Sequence, residues 1–165
     1  MRSPSGYNPA QDDVLKTLGV AMIAGQGVEY LLSNCLTYAL HGEPLQTVEQ
    51  LRILLERHSK ATLGQLLRKL RTRVDLHPTF DDTLDRFLQH RNIIAHRLHD
   101  VPGGFDLHSD EGRERLKAFL VQYMVDGHTV SMVMLGVLRG WASQEGIDIN
   151  SDHHLSQRMQ DHLEA

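Results

Sequence analysis

His90-Arg91-Asn92-Ile93-Ile94-Ala95-His96-Arg97 is the stretch whose reading decides the fold. It sits late in a helix expected from about Phe80 to Asp100. At about 100° per residue, Leu84, Phe87, Leu88, Ile94, Ala95 and Leu98 share one side of that helix. Arg91 falls on the same side, about 20° from Leu84. A guanidinium in an apolar stripe cannot shed its proton to escape burial, so it needs a carboxylate, a phosphate or a water-filled cleft. Asn92 and His96 are four apart and share a face beside the stripe. The helix therefore carries a cation, an amide and an imidazole along one edge of its packing seam.

Outward from this stretch, every apolar pattern reads as helix. Gln11 to His41 forms a long first helix, stopped by Gly42 and Pro44. Its expected seam is Leu15, Leu18, Met22, Gly25, Glu29, Leu32, Leu36 and Ala39. Glu29 sits among apolar residues much as Arg91 does, and a buried carboxylate is costly unless paired. Gly19, Gly25 and Gly27 weaken this helix and admit either a close neighbour or a bend. Leu45 to His58 forms a second helix with Val48, Leu51, Leu54 and Leu55 on one face. Thr62 and Gln65 have the spacing of a capping box, opening a third helix to about Arg73. That helix buries Leu63, Leu66, Leu67 and Leu70 and leaves Arg68, Lys69, Arg71 and Arg73 for water or phosphate.

Thr79 or Asp81 is positioned to cap the motif helix. Val101-Pro102-Gly103-Gly104-Phe105 makes a turn beside His96, and Ser109 opens a last long helix to about Ser143. Its seam runs Leu116, Leu120, Tyr123, Val130, Met134, Val137, Trp141. The fold class is all-α, an up-and-down bundle of about five helices. Residues 1–10 read as a disordered lead-in, 11–146 as the helical domain, and 147–165 as a short amphipathic tail helix with Leu155, Met159 and Leu163.

Composition sets bounds on function. One domain and one core fit 165 residues. No apolar run approaches the length of a membrane span, and the start at Met1 shows no apolar signal region, so a cytoplasmic protein without membrane contact is expected. Cys35 is alone in an apolar helix, which points to a buried, inert thiol. The net charge of −4 argues against indiscriminate nucleic-acid binding. Yet residues 52–97 hold ten Lys and Arg against five Asp and Glu, so the motif lies in a basic half. That excess is either two solvated helix faces or a phosphate-facing surface.

The spacing of Arg91, the polar Asn92 and His96, on a late helix of an all-helical chain, resembles the motif of the HEPN superfamily. The resemblance implies a small helical bundle and, in many members, a homodimer whose motif helices face one another across a shared cleft. Many such dimers are metal-independent RNA endonucleases of toxin or phage-defence type, and others have no known catalysis. The resemblance thus implies RNA as substrate, no cofactor and no metal, and an antitoxin or regulatory protein as a further partner.

The chemistry fits the residue types. Metal-free RNA cleavage needs a base for the 2′-hydroxyl, a proton for the 5′-oxygen and a countercharge for the phosphorane. An imidazole such as His96 titrates near neutral pH. A guanidinium such as Arg91 offers a planar fork and a permanent charge. Asn92 orients His96 or donates to phosphate. A two-fold dimer would bring a second His96 for the second proton transfer. Arg91 and His96 lie about 140° apart on an ideal helix, so the arginine must bend round or the site must be shared between two helices. Glu29, outside the family motif, is a further candidate, as partner of Arg91 or assistant of His96. Arg97, Arg68, Lys69 and Arg71 are candidate nucleic-acid contacts. His96 and His99 have a spacing that can hold a metal, but no Cys partner or HExxH pattern accompanies them. Two other readings stand beside catalysis. One is a non-catalytic module that binds RNA, a nucleotide or a protein through the same cleft. The other is an assembly dimer whose buried arginine fixes register.

Overall fold

Thr62 accepts a hydrogen bond from the Gln65 amide, and the Gln65 side chain accepts one from the Thr62 amide. This reciprocal cap satisfies two orphan donors and starts α3 (Leu63–Arg71) where the sequence places it. Similar local chemistry sets the other starts in the computed structural model, which describes residues 8–42 and 45–147. Asn8 caps α1 (Pro9–Asn34), Thr47 caps α2 (Val48–Ser59) and Ser109 caps α5 (Asp110–Gln144). The motif helix α4 (Pro78–His96) is capped by His77, whose Nδ1 accepts from the Thr79 amide. Pro78 at the first helical position has no amide to satisfy, which places the cap ahead of Thr79 and Asp81.

The described residues form an all-helical bundle of five α-helices without strands. Several expected boundaries are corrected, among them the start of α2, which opens at Val48 rather than Leu45. The first helix starts at Pro9 rather than Gln11. Its far end widens at Cys35–Ala39 into a π-helical turn, closed by the Leu40 amide on the Cys35 carbonyl at 2.8 Å. The motif helix stops at His96 rather than Asp100. Arg97 leaves helical geometry at φ −145°, and Leu98–Asp100 form one 3₁₀ turn. Pro44 and the amphipathic tail expected from Leu155 to Leu163 lie outside the described residues.

The core is built on α5, which packs most extensively on α1 and next on α4. Its α1 side is Val14, Ala21, Gly25, Val28 and Leu32, not the line through Leu15, Met22 and Glu29. Leu15 and Met22 are exposed at 47% and 45%. Gly25, Leu32 and Leu36 of the expected seam are buried, and the helix is turned by less than one position so that Val14, Ala21 and Val28 replace Leu15, Met22 and Glu29. A Cβ at Gly25 would stand 1.9 Å from the Tyr123 hydroxyl. A Cβ at Gly127 would stand 3.0 Å from the Phe87 ring and 3.4 Å from Val28. These two glycines let α1, α4 and α5 close on the Phe87–Tyr123 stack, whose centroids are 4.9 Å apart with planes 4° apart. Gly19 and Gly27 meet nothing within 4 Å. On α4 the buried residues are Thr83, Leu84, Phe87, Ile93 and Ile94, while Ala95 is exposed.

Candidate functional site

The rotation of α1 moves Glu29 from the seam to its edge, where it meets Arg91. Arg91 donates from Nε to Glu29 Oε1 at 2.7 Å, and both side chains keep about a quarter of their surface open, at 28% and 24%. The Arg91 Nη1 atom lies 3.4 Å from His96 Nε2. The wide angle between the two positions is thus closed within one helix: the arginine bends along α4 and reaches the exposed imidazole at its last residue. Glu29 uses one of the five guanidinium donors, and Nη1 is turned toward His96.

Beside the Glu29–Arg91 pair is a cleft of about 70 Å³, lined among others by Met22, Gln26, Glu29, Arg91, Ala95 and Tyr123, with His96 outside its lining. That is far below the roughly 300–1,000 Å³ of an enclosed small-molecule site. It admits a group of phosphate size rather than a whole nucleotide. The Tyr123 phenol is pushed up to about 12, by burial first and by the Glu29 carboxylate next, with Arg91 opposing. Tyr123 therefore stays a neutral hydroxyl at the cleft floor. Its place here depends on Gly25, and nothing in its sequence neighbourhood distinguishes it from an ordinary core residue.

The other expected site residues divide. Asn92 is half-buried on α4, and its side chain hydrogen-bonds no described residue. Arg97 is exposed just past α4, with Nε 3.6 Å from Asp100. Arg68, exposed on α3, stands apart from the cleft. Arg71 is held by Asp81 and Asp85, each at 2.7 Å, so its fork is already occupied. Lys69 is turned to His58, its Nζ 2.6 Å from Nε2.

That contact discloses a buried relay which the sequence did not reveal. An ammonium can only donate, so His58 Nε2 accepts and Nδ1 carries the proton. Nδ1–H donates to Thr37 Oγ1 at 2.7 Å, and the Thr37 hydroxyl donates to the Ser33 carbonyl at 2.8 Å. His58 is pushed down to about 4 by burial first, then by Lys69, Arg57 and Arg73. Cys35 is fully buried and its thiol is pushed up to about 12 by burial, as expected of an inert core sulfur.

Fold and site together define a helical bundle that presents a solvent-open Arg–Glu–His cluster at the end of one helix. No family model, curated protein or solved structure matches the chain. Among the described residues no helix is long and apolar enough to cross a membrane.

Proposed function

We propose that the chain is a HEPN-like, metal-independent endoribonuclease of toxin or phage-defence type. The observation that carries this reading is the 3.4 Å approach of the Arg91 guanidinium to the exposed His96 imidazole, with Glu29 anchoring only the Nε side. In the proposed reaction His96 takes the proton of an RNA 2′-hydroxyl. The 2′-oxygen bonds to phosphorus, the bond from phosphorus to the 5′-oxygen breaks, and that oxygen leaves with a proton. Arg91 balances the phosphorane charge, which is worth most in the transition state. Glu29 aims the guanidinium, and Asn92 and the neutral Tyr123 hydroxyl are placed to donate to phosphate oxygens.

One His96 cannot serve as base and acid at once, so the site is proposed to be composite, with a second His96 from a two-fold partner. The smallness of the cleft supports this, as does the apolar surface around it. Met22 lines the cleft at 45% exposure, and Leu15 lies on the same side of α1. On this reading α1 lies beside α4 in the proposed dimer seam.

The test is RNA cleavage in a chelator. Products ending in a 2′,3′-cyclic phosphate, lost in Arg91→Ala and in His96→Ala proteins that still fold, are expected. Cleavage that survives both substitutions would remove the assignment. The Glu29–Arg91 ion pair favours a second reading, in which the same cleft binds RNA, a nucleotide or a partner protein without turnover. Binding with no product over long incubation would establish that instead. The proposed setting is cytoplasmic, with an antitoxin or regulatory protein as a further partner.

A further inference from the structure

The Arg91 cluster leaves unused a cleft of about 350 Å³ between α2 and α3, lined by Arg57, Lys69, Arg73, Gln50, His41 and Ile53 among others. No described acidic side chain lines it. Of the other cations on α2 and α3, Arg52 pairs with Glu49 and Arg71 with Asp81 and Asp85, and Lys60 just past α2 pairs with Glu56. Arg57, Lys69 and Arg73 have no carboxylate partner among the described residues. Gathering like charges is unfavourable. Burial, Arg73 and Arg57 together hold the Lys69 ammonium below its ordinary value.

The cluster is also built rather than incidental. The fully satisfied relay from Ser33 through Thr37 and His58 fixes the direction of Lys69 and uses one of its three N–H donors, leaving two. Arg73 lies against Gly42, whose φ of +87° and missing Cβ leave room for the guanidinium.

We propose that the α2–α3 cleft is a phosphate-binding site in which Arg57, Lys69 and Arg73 hold the oxygens of one phosphate group. Two guanidinium forks and an aimed ammonium match a group with several acceptor oxygens and more than one negative charge to share. The phosphate belongs to an RNA strand or to a free nucleotide. A groove of about 610 Å³ is lined by Glu29, which faces Arg91, and by His58, which aims Lys69, but also by the Glu56 carboxylate, so its charge favours neither source; the strand is the form that would link the cleft to Arg91. In that form the inference rests on the proposed binding of RNA at Arg91, while phosphate capture itself stands without it.

The test titrates inorganic phosphate into the full chain and follows the NMR signals of Arg57, Lys69 and Arg73. Saturable shifts are expected there. They should weaken at least about tenfold in the Arg57→Gln, Arg73→Gln double variant, whose side chains are exposed, and stay unchanged in Arg52→Gln. His58 is a positioning residue: His58→Leu should weaken binding and His58→Gln, which keeps an acceptor for Lys69, should restore it. Shifts that never saturate, or equal affinity in the double variant and the parent, overturn the proposal. A second arm uses the His96→Ala protein with a short single-stranded RNA and with a mononucleotide as competitors. Displacement of phosphate by the RNA assigns the strand, and displacement by the mononucleotide alone assigns the free nucleotide. Neither arm needs cleavage, so an inactive enzyme and an empty cleft give different results.

Discussion

The guanidinium of Arg91 is shared between two residues of opposite character, a half-buried Glu29 at 2.7 Å and an exposed His96 at 3.4 Å. An ion pair of this exposure adds little to stability, on the order of 1 kcal/mol or less. Its consequence is orientation. Arg91→Ala is expected to lower RNA cleavage by about 10²–10³-fold, and Arg91→Lys to recover little, because an ammonium has no planar fork. Glu29→Gln should lower kcat by about tenfold with KM nearly unchanged, as fits a residue that aims a charge needed in the transition state. Single-turnover kinetics with chemical unfolding run in parallel measure both. A Glu29→Gln protein cleaving at the parent rate would remove Glu29 from the site.

Gly25 and Tyr123 are expected to behave as one unit. A methyl at Gly25 would sit 1.9 Å from the phenol oxygen and 3.0 Å from Cζ. Gly25→Ala should therefore cost about 1–3 kcal/mol through overpacking, despite the better helix propensity of alanine. Tyr123→Phe removes the closest atom, so the double variant should recover part of that loss. A double-mutant cycle by urea unfolding reads the coupling. Strict additivity of the two changes would contradict the close approach.

Arg86 and Asp126 form a two-bond pair, Nε to Oδ2 at 2.8 Å and Nη2 to Oδ1 at 2.7 Å, with Gln122 adding a third bond at 3.0 Å. Their environments differ sharply: the Asp126 side chain is 3% exposed and that of Arg86 is 45%. Removing the arginine strands a buried carboxylate, at a cost of roughly 3–5 kcal/mol. Removing the aspartate lets the arginine return to water. Arg86→Ala is thus expected to destabilise the fold more than Asp126→Ala, measured by thermal and urea unfolding. The reverse order would show that packing, not charge burial, governs this site.

His58 gives a defined dependence on pH. The folded ring is pushed down from 6.5 to about 4, while the unfolded chain takes up its proton near 6.5. Above that value both states are neutral and the contribution is complete. As pH falls from 6.5 to about 4 the unfolded state binds more protons, and up to roughly 3 kcal/mol of stability is lost. Below about 4 this group takes away nothing more. The groups facing it are Thr37, Lys69, Arg57 and Arg73. Comparing urea unfolding of the parent and His58→Leu between pH 7 and 4 isolates the effect, which the variant should lack.

Much of this was written in the order of the residues. Helical periodicity, the Thr62–Gln65 cap, the Ser109 start and the Gly103-Gly104 turn depend on neighbours within one or two turns, so a linear pattern carries them. The two charged residues that interrupt apolar patterns, Glu29 and Arg91, were legible as candidates for each other, because an unpaired buried charge is too costly to keep. Their exposure was not legible. It follows from a partial turn of α1, set by where Ala21, Gly25 and Gly127 allow three helices to meet.

Tertiary packing alone decided the rest. Tyr123 enters the site because Gly25 lacks a Cβ, a fact about two residues nearly a hundred positions apart. Arg71 and Lys69, alike in the sequence as basic residues of one helix, part company: one is taken by Asp81 and Asp85, the other aimed by a buried histidine. Periodicity states which side of a helix is apolar. Only the meeting of helices determines which charges at the border of that side find a partner, and which are left open to a ligand.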